Sequence, residues 1–240
     1  MYYLVGLVVL LVLAYAAWAS FFNTSPSCFD NKQDGTELGV DCGGSCSLVC
    51  PDTARQPVVS WARSFLVAPG SYTLAAYVQN NNIGAGAKAV PYSFQLFDAD
   101  NSLIKEVDGT ADLPPVSVVP IIVPNVSVQN RVVAHVEFAF SSVPSWHTVA
   151  GSSLPSLSIS EQNLSADGSR LSAILTNQTL IDAQNITVAA VLFDADGVAR
   201  AASKSYVADV AAQSGEQVVF TWPSGVPNIV RAEITVLPSF

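Results

Sequence analysis

At 240 residues, with half of them hydrophobic and only 12% charged, the chain carries apolar material for more than one core. Lys plus Arg number 10 against 19 Asp plus Glu, a net charge of −9, so no basic face suited to a phosphate backbone is available and nucleic acid is excluded as a partner. No G-x-S-x-G, P-loop or H-E-x-x-H motif occurs, and neither His135 nor His147 has a motif around it, so no catalytic residues are assigned and an enzyme is not expected.

In chain order, residues 1–22 come first. From Tyr2 to Phe22 the run is apolar except for Gly6 and Ser20 and has no charged side chain. As a helix it would span roughly 31 Å, the hydrocarbon thickness of a bilayer. Tyr2, Tyr3 and Trp18 lie near its ends, where amphipathic rings favour the interface. Ala17-Trp18-Ala19 also fits a signal-peptide cleavage site. A basic n-region is missing, however, and the apolar run continues through Phe21 and Phe22. The stretch is therefore read as an uncleaved, single-pass transmembrane helix, with a signal peptide as the alternative.

Region 23–57 is a cysteine-rich module and linker. Cys28, Cys42, Cys46 and Cys50 are all the cysteines of the chain. An even number, closely spaced after an apolar segment, reads as two disulfides outside the reducing cytoplasm, with three pairings open. The C-terminal bulk is therefore expected to be extracytoplasmic. The module is too short and polar to bury a core, so cross-links or a metal must hold it. Asp30, Asp34, Glu37 and Asp41 crowd the loop, with Gly35 sixth from Asp30. Positions 1, 5, 6 and 12 of an EF-hand-type loop are matched, although Lys32 cannot ligate at position 3. Ca²⁺ is the one cofactor these carboxylates suggest, against a plain solvated acidic loop. Four-thiolate zinc is disfavoured by the cysteine spacing and the oxidising compartment.

The same residues resemble a cysteine-rich element that recurs in microbial surface proteins. Glu37, Gly39, Asp41, Cys42, Gly43, Gly44 and Cys46 carry that resemblance, which covers Cys28 to Cys50 alone.

The rest of the chain repeats itself. Leu96-Phe97-Asp98-Ala99-Asp100-Asn101 returns as Leu192-Phe193-Asp194-Ala195-Asp196-Gly197, and Leu74 to Asn80 returns as Leu171 to Asn177. Each Asp-rich copy reads as strand, turn, strand, because Asn and Gly tolerate a positive φ. Turn chemistry therefore accounts for Asp98, Asp100, Asp194 and Asp196 better than acid–base catalysis does. Short strand-like runs without helical periodicity predict two immunoglobulin-like β-sandwiches, 58–141 and 156–240, joined by a Ser/Pro-rich linker, 142–155. The fold class is mainly β. The spacing from Asn to the Phe-Asp-x-Asp/Asn hairpin is similar to the FxLYD-type group of bacterial and archaeal β-sandwich domains, which implies fold and not function.

Three further expectations concern surfaces. Pro120 has no N–H to give a ladder, so its strand should lie at an edge or be bulged. The loop after Leu74–Val78, with Gln79, Asn80, Asn81 and Asn82, offers adaptable side chains for binding a protein or cell-surface polymer. Five Asn-x-Ser/Thr sequons, at Asn23, Asn125, Asn163, Asn177 and Asn185, would be surface sites in a glycosylating host. Together these features predict a non-enzymatic, membrane-anchored extracytoplasmic protein, with a subunit of an envelope assembly or secretion complex as the alternative.

Overall fold

The computed structural model describes residues 2–22, 26–150 and 156–237. It divides into two compact units, Met1–Cys50 and Pro51–Phe240.

The first unit opens with helix α1 (Tyr2–Phe22), 21 residues with no acidic residue in the first turn and no basic residue in the last. Side chains are described for residues 3 and 5–18 of it. Among the described residues no helix is long and apolar enough to cross a membrane, so the expected span has no support from the structure itself. The cysteine module after α1 is held by disulfides rather than by regular structure. Cys28 pairs with Cys46 and Cys42 with Cys50, with Cα–Cα distances of 5.6 and 5.0 Å. This selects one of the three pairings, and it is an interlocked one: Cys42 lies inside the loop that Cys28–Cys46 closes, and Cys50 outside. The turn through Gly43 and Gly44 makes it reachable. Both have positive φ, and a Cβ on Gly44 would lie 1.9 Å from the Thr36 carbonyl oxygen.

The second unit is β throughout. Its first half contains β1 (Val58–Ala68), β2 (Ser71–Asn80), β3 (Ala85–Phe97), β4 (Leu103–Leu113), β5 (Ser117–Ser127), β6 (His135–Phe140) and β7 (His147–Thr148). The second half contains β8 (Leu157–Leu164), β9 (Arg170–Asn177), β10 (Ala183–Phe193), β11 (Ala199–Val210), β12 (Gly215–Thr221) and β13 (Arg231–Leu237). All pairings are antiparallel, in sheets β1-β2-β5, β4-β3-β6, β12-β9-β8 and β11-β10-β13, with β7 on the start of β3. In the second half, Leu171, Leu175, Val218 and Phe220 from one sheet close on Ile186, Val188, Ala190 and Leu192 from the other, a two-layer sandwich. The first half repeats the arrangement, with β1 against β6 and β4 against β5. Within the 142–155 segment, Trp146 is only 2% exposed and His147–Thr148 pairs with Ala85 and Gly86. Residues 146–149 thus pack on the first sandwich, because β3 runs on past β4 and leaves unpaired backbone there.

The repeated Asp-rich hairpins join β3 to β4 and β10 to β11. Asn101 and Gly197 hold the left-handed position at φ 61° and 73°. Strand β5 is the outer strand of its sheet, and Pro120 faces Tyr77 of β2 on the paired side. Its missing N–H therefore costs no ladder bond to a further strand.

Strands β2 and β10 are buried on both faces, unlike the alternating β9. Their second faces meet each other. Ala75, Tyr77 and Ile122 of the first sandwich pack with Ala189, Val191, Phe193 and Ala202 of the second, flanked by Trp61, Phe65 and Leu237. Alanines at the centre let the sheets approach closely. Trp61 stacks on Tyr77 with ring centroids 4.7 Å apart, Arg231 lies 4.1 Å over the Phe193 ring, and Tyr77 donates a 2.8 Å hydrogen bond to Glu233.

Candidate functional site

The acidic loop of the cysteine module is the first candidate. Asp41 accepts the backbone N–H of Asp30 at 3.0 Å and of Asn31 at 2.9 Å, while Glu37 accepts those of Asp34 and Asp41, each at 3.2 Å. Asp30 in turn caps the N–H of Lys32. Asp34 Oδ1 is enclosed without a hydrogen-bond partner. Among the described residues the four carboxylates do not converge on one point. The grouping with metal-ligand spacing is Cys28, Glu37 and Cys46, and both sulfurs are spent in their shared disulfide. Asp30, Glu37 and Asp41 thus act where a hydrophobic core is missing: they satisfy backbone donors that the disulfide-bound turns leave open.

The second candidate, Gln79 to Asn82, is built inward. Asn80 is buried at the end of β2. Its amide donates to the carbonyls of Ala85, Leu113 and Pro114 at 2.9, 3.2 and 2.7 Å, and its Oδ1 accepts from Asn82. Asn82 in turn accepts the Arg55 N–H at 2.7 Å and donates to the Arg55 carbonyl at 2.8 Å, pinning the chain that enters β1. Gln79 is half-buried, and Asn81 and Ile83 make up the exposed tip. Of the four side chains expected to be adaptable, Asn80 and Asn82 are thus held by backbone groups.

Asn177 does in the second sandwich what Asn80 does in the first. It is 0% exposed and donates to the carbonyls of Ile181, Val210 and Ala211. Sequence separations of 33 and 34 to the far carbonyls are the same in both copies. The repeated Asn was visible in the sequence, but its role was not, and the expectation that all five sequons are surface sites fails at this one.

The paired aspartates are hairpin caps. Asp98 Oδ1 accepts the N–H of Asp100 and Ser102, and Asp194 Oδ1 those of Asp196 and Val198. Their other oxygens pair with Arg131 and Arg200. The backbone bond from Ser102, reinforced by Arg131, holds Asp98 below the usual carboxylate range. The bond from Val198 does the same for Asp194 against the opposing effect of burial. A carboxylate so held is a poor general base at neutral pH. His135 stacks on Phe97, and His147 lies in β7.

A cleft of about 340 Å³ opens where the two sandwiches meet. Tyr92, Asp112, Pro120 and Ile122 line it from the first, and Asn185, Thr187 and Lys204 from the second. Asp112 is engaged by the Ala89 N–H at 2.8 Å. Burial raises the Tyr92 phenol above its ordinary value. These walls can accept and donate hydrogen bonds, and their described residues form no acid–base pair. No protein-family model matches this chain, and no curated protein matches it.

Proposed function

We propose that this is a non-enzymatic, membrane-anchored extracytoplasmic protein in which immunoglobulin-like, FxLYD-type sandwiches project a spacing or binding surface from the cell envelope. One observation carries the proposal. The large apolar side chains described on α1, from Tyr3 to Trp18, are 51 to 95% exposed, although the helix has no polar face. A helix apolar all round is stable only inside a protein or inside lipid. Two disulfides are the chemistry of an oxidising compartment, which supports an extracytoplasmic chain after α1. The partner is a protein or cell-surface polymer met by the sandwiches, and calcium is not assigned a role. A second reading, a subunit of an envelope complex held through α1, draws on the same uncovered helix.

Protease added to intact cells should remove Pro51–Phe240 and leave a membrane-bound fragment containing residues 2–22. Complete protection of the sandwiches, or recovery of the chain as a soluble protein lacking residues 1–19, would sink the anchor. Mild detergent extraction with cross-linking separates the two readings: a defined membrane complex favours the subunit, an external polymer the binding module.

A further inference from the structure

We propose that Asn125, Asn163 and Asn185 carry N-linked glycans, those on Asn125 and Asn163 capping outer strands of the β-sheets, and that the fourth described sequon, Asn177, is not an acceptor. The proposal rests on the extracytoplasmic placement of the chain. Asn125, Asn163 and Asn185 are exposed, whereas Asn177 is enclosed with its Nδ2 given to backbone carbonyls. Asn23 lies outside the described residues.

A second observation comes from where the exposed three stand. Asn125 lies in β5, an outer strand, at φ 58° beside the register shift opposite Tyr72 and Leu74. Asn163 lies in β8, also an outer strand, at the end of the irregularity that begins at Ser160. Asn185 lies in β10, exposed and with φ 56°. Its Oδ1 accepts from the Tyr206 hydroxyl, and Nδ2 is not the bonded atom. Asn125 and Asn163 sit at bends on the outer strands of their sheets. Such bends aim a side chain away from the ladder, and open edges are where a β-protein templates unwanted pairing with another chain. A bulky, hydrated glycan on each would block that pairing.

The chemistry needs a host glycosyltransferase and a lipid-linked glycosyl phosphate donor. Asn Nδ2 attacks the anomeric carbon, the N–C1 bond forms and the C1–O bond to phosphate breaks. The lipid phosphate leaves with the electron pair, and the amide gives one proton to a base of the transferase.

The test is glycopeptide mass spectrometry on the full chain from its own cell membranes, with protease accessibility measured on the same cells. Glycan mass on the Asn125, Asn163 and Asn185 peptides, with Asn177 bare, is expected. Each single Asn→Gln variant should lose one glycan, and the triple variant should stay folded but self-associate at lower concentration than the wild type. Bare peptides at all three sites in a protease-accessible chain overturn the glycans and leave the topology standing, whereas a protease-protected chain overturns the topology. Glycan on Asn177 overturns the selection by exposure. A glycan-free triple variant that associates no more than the wild type overturns the capping role.

Discussion

Asn80 and Asn177 each answer a problem that every β-sandwich has at the end of a strand. Carbonyls of two neighbouring connections point into the core end, where no strand can pair with them. A carboxamide supplies two N–H donors and one acceptor in a compact side chain, and here it satisfies three carbonyls in each copy. Replacing Asn177 by Ala strands those acceptors, at a cost on the order of 3 kcal/mol. Urea denaturation of the variant should show that loss as a lower midpoint, and an unchanged midpoint would show that water or relaxation replaces the amide. Tyr77 is a second residue whose surroundings set its chemistry. Burial pushes its phenol up to about 12 from 10.0, against the opposing pull of Arg231. The unfolded chain therefore loses this proton at a lower pH than the folded one. The stability it contributes is full below pH 10 and is lost as pH rises toward 12. Denaturation midpoints across that window should fall more steeply in the wild type than in Tyr77→Phe.

Among the elements, the cysteine module depends most on single residues. Without a core, its shape comes from two crossed disulfides and from carboxylates that cap backbone N–H groups. Gly44 is where the turn meets Thr36. A methyl group there meets backbone at 1.9 Å, and φ is +61°, so both space and conformation forbid it. Gly44→Ala should leave alkylatable thiols in the secreted or membrane-held chain, read by intact mass before and after reduction. Full masking of all four thiols would show that the turn can relax. The outer strand β5 illustrates the opposite design, where Pro120 is tolerated because one side of the strand has no partner.

Across the whole β unit, two sandwiches share a second core between them. Apolar faces that would each expose Ala75, Tyr77 and Ile122 or Ala189, Val191 and Phe193 are buried in one step. Burial of that kind makes the pair a rigid double sandwich rather than two beads on a linker. Ala189→Glu forces a long polar side chain into the close approach of the two sheets, beside its cross-strand neighbour Lys204, at a cost of about 1–3 kcal/mol in overpacking. Small-angle scattering should then show a longer particle, and thermal unfolding should split into two transitions where the wild type has one. A variant with unchanged dimensions and a single transition would mean that the junction is not what couples the halves.

Local chemistry explains what could be read without coordinates. The hairpins at Asp98–Asn101 and Asp194–Gly197, the edge position of Pro120 and the disulfide use of all four cysteines depend on residues close in sequence or on the properties of one residue, and the chain shows them directly. The interlocked pairing of Cys28 with Cys46 depends on how the turns at Gly39 to Gly44 pack, which spacing does not encode. The inward turn of Asn80, Asn82 and Asn177 depends on carbonyls far along the chain. The second faces of β2 and β10 carried a signal, an apolar run without alternation in Leu74–Val78 and Ala189–Phe193, but such a run does not say what covers it. The β content, the repeat and the cysteine-rich module were thus legible in the residues themselves. Which polar side chains are free was settled only by packing, because hydrogen-bond partners and apolar neighbours come from strands that lie far apart along the chain.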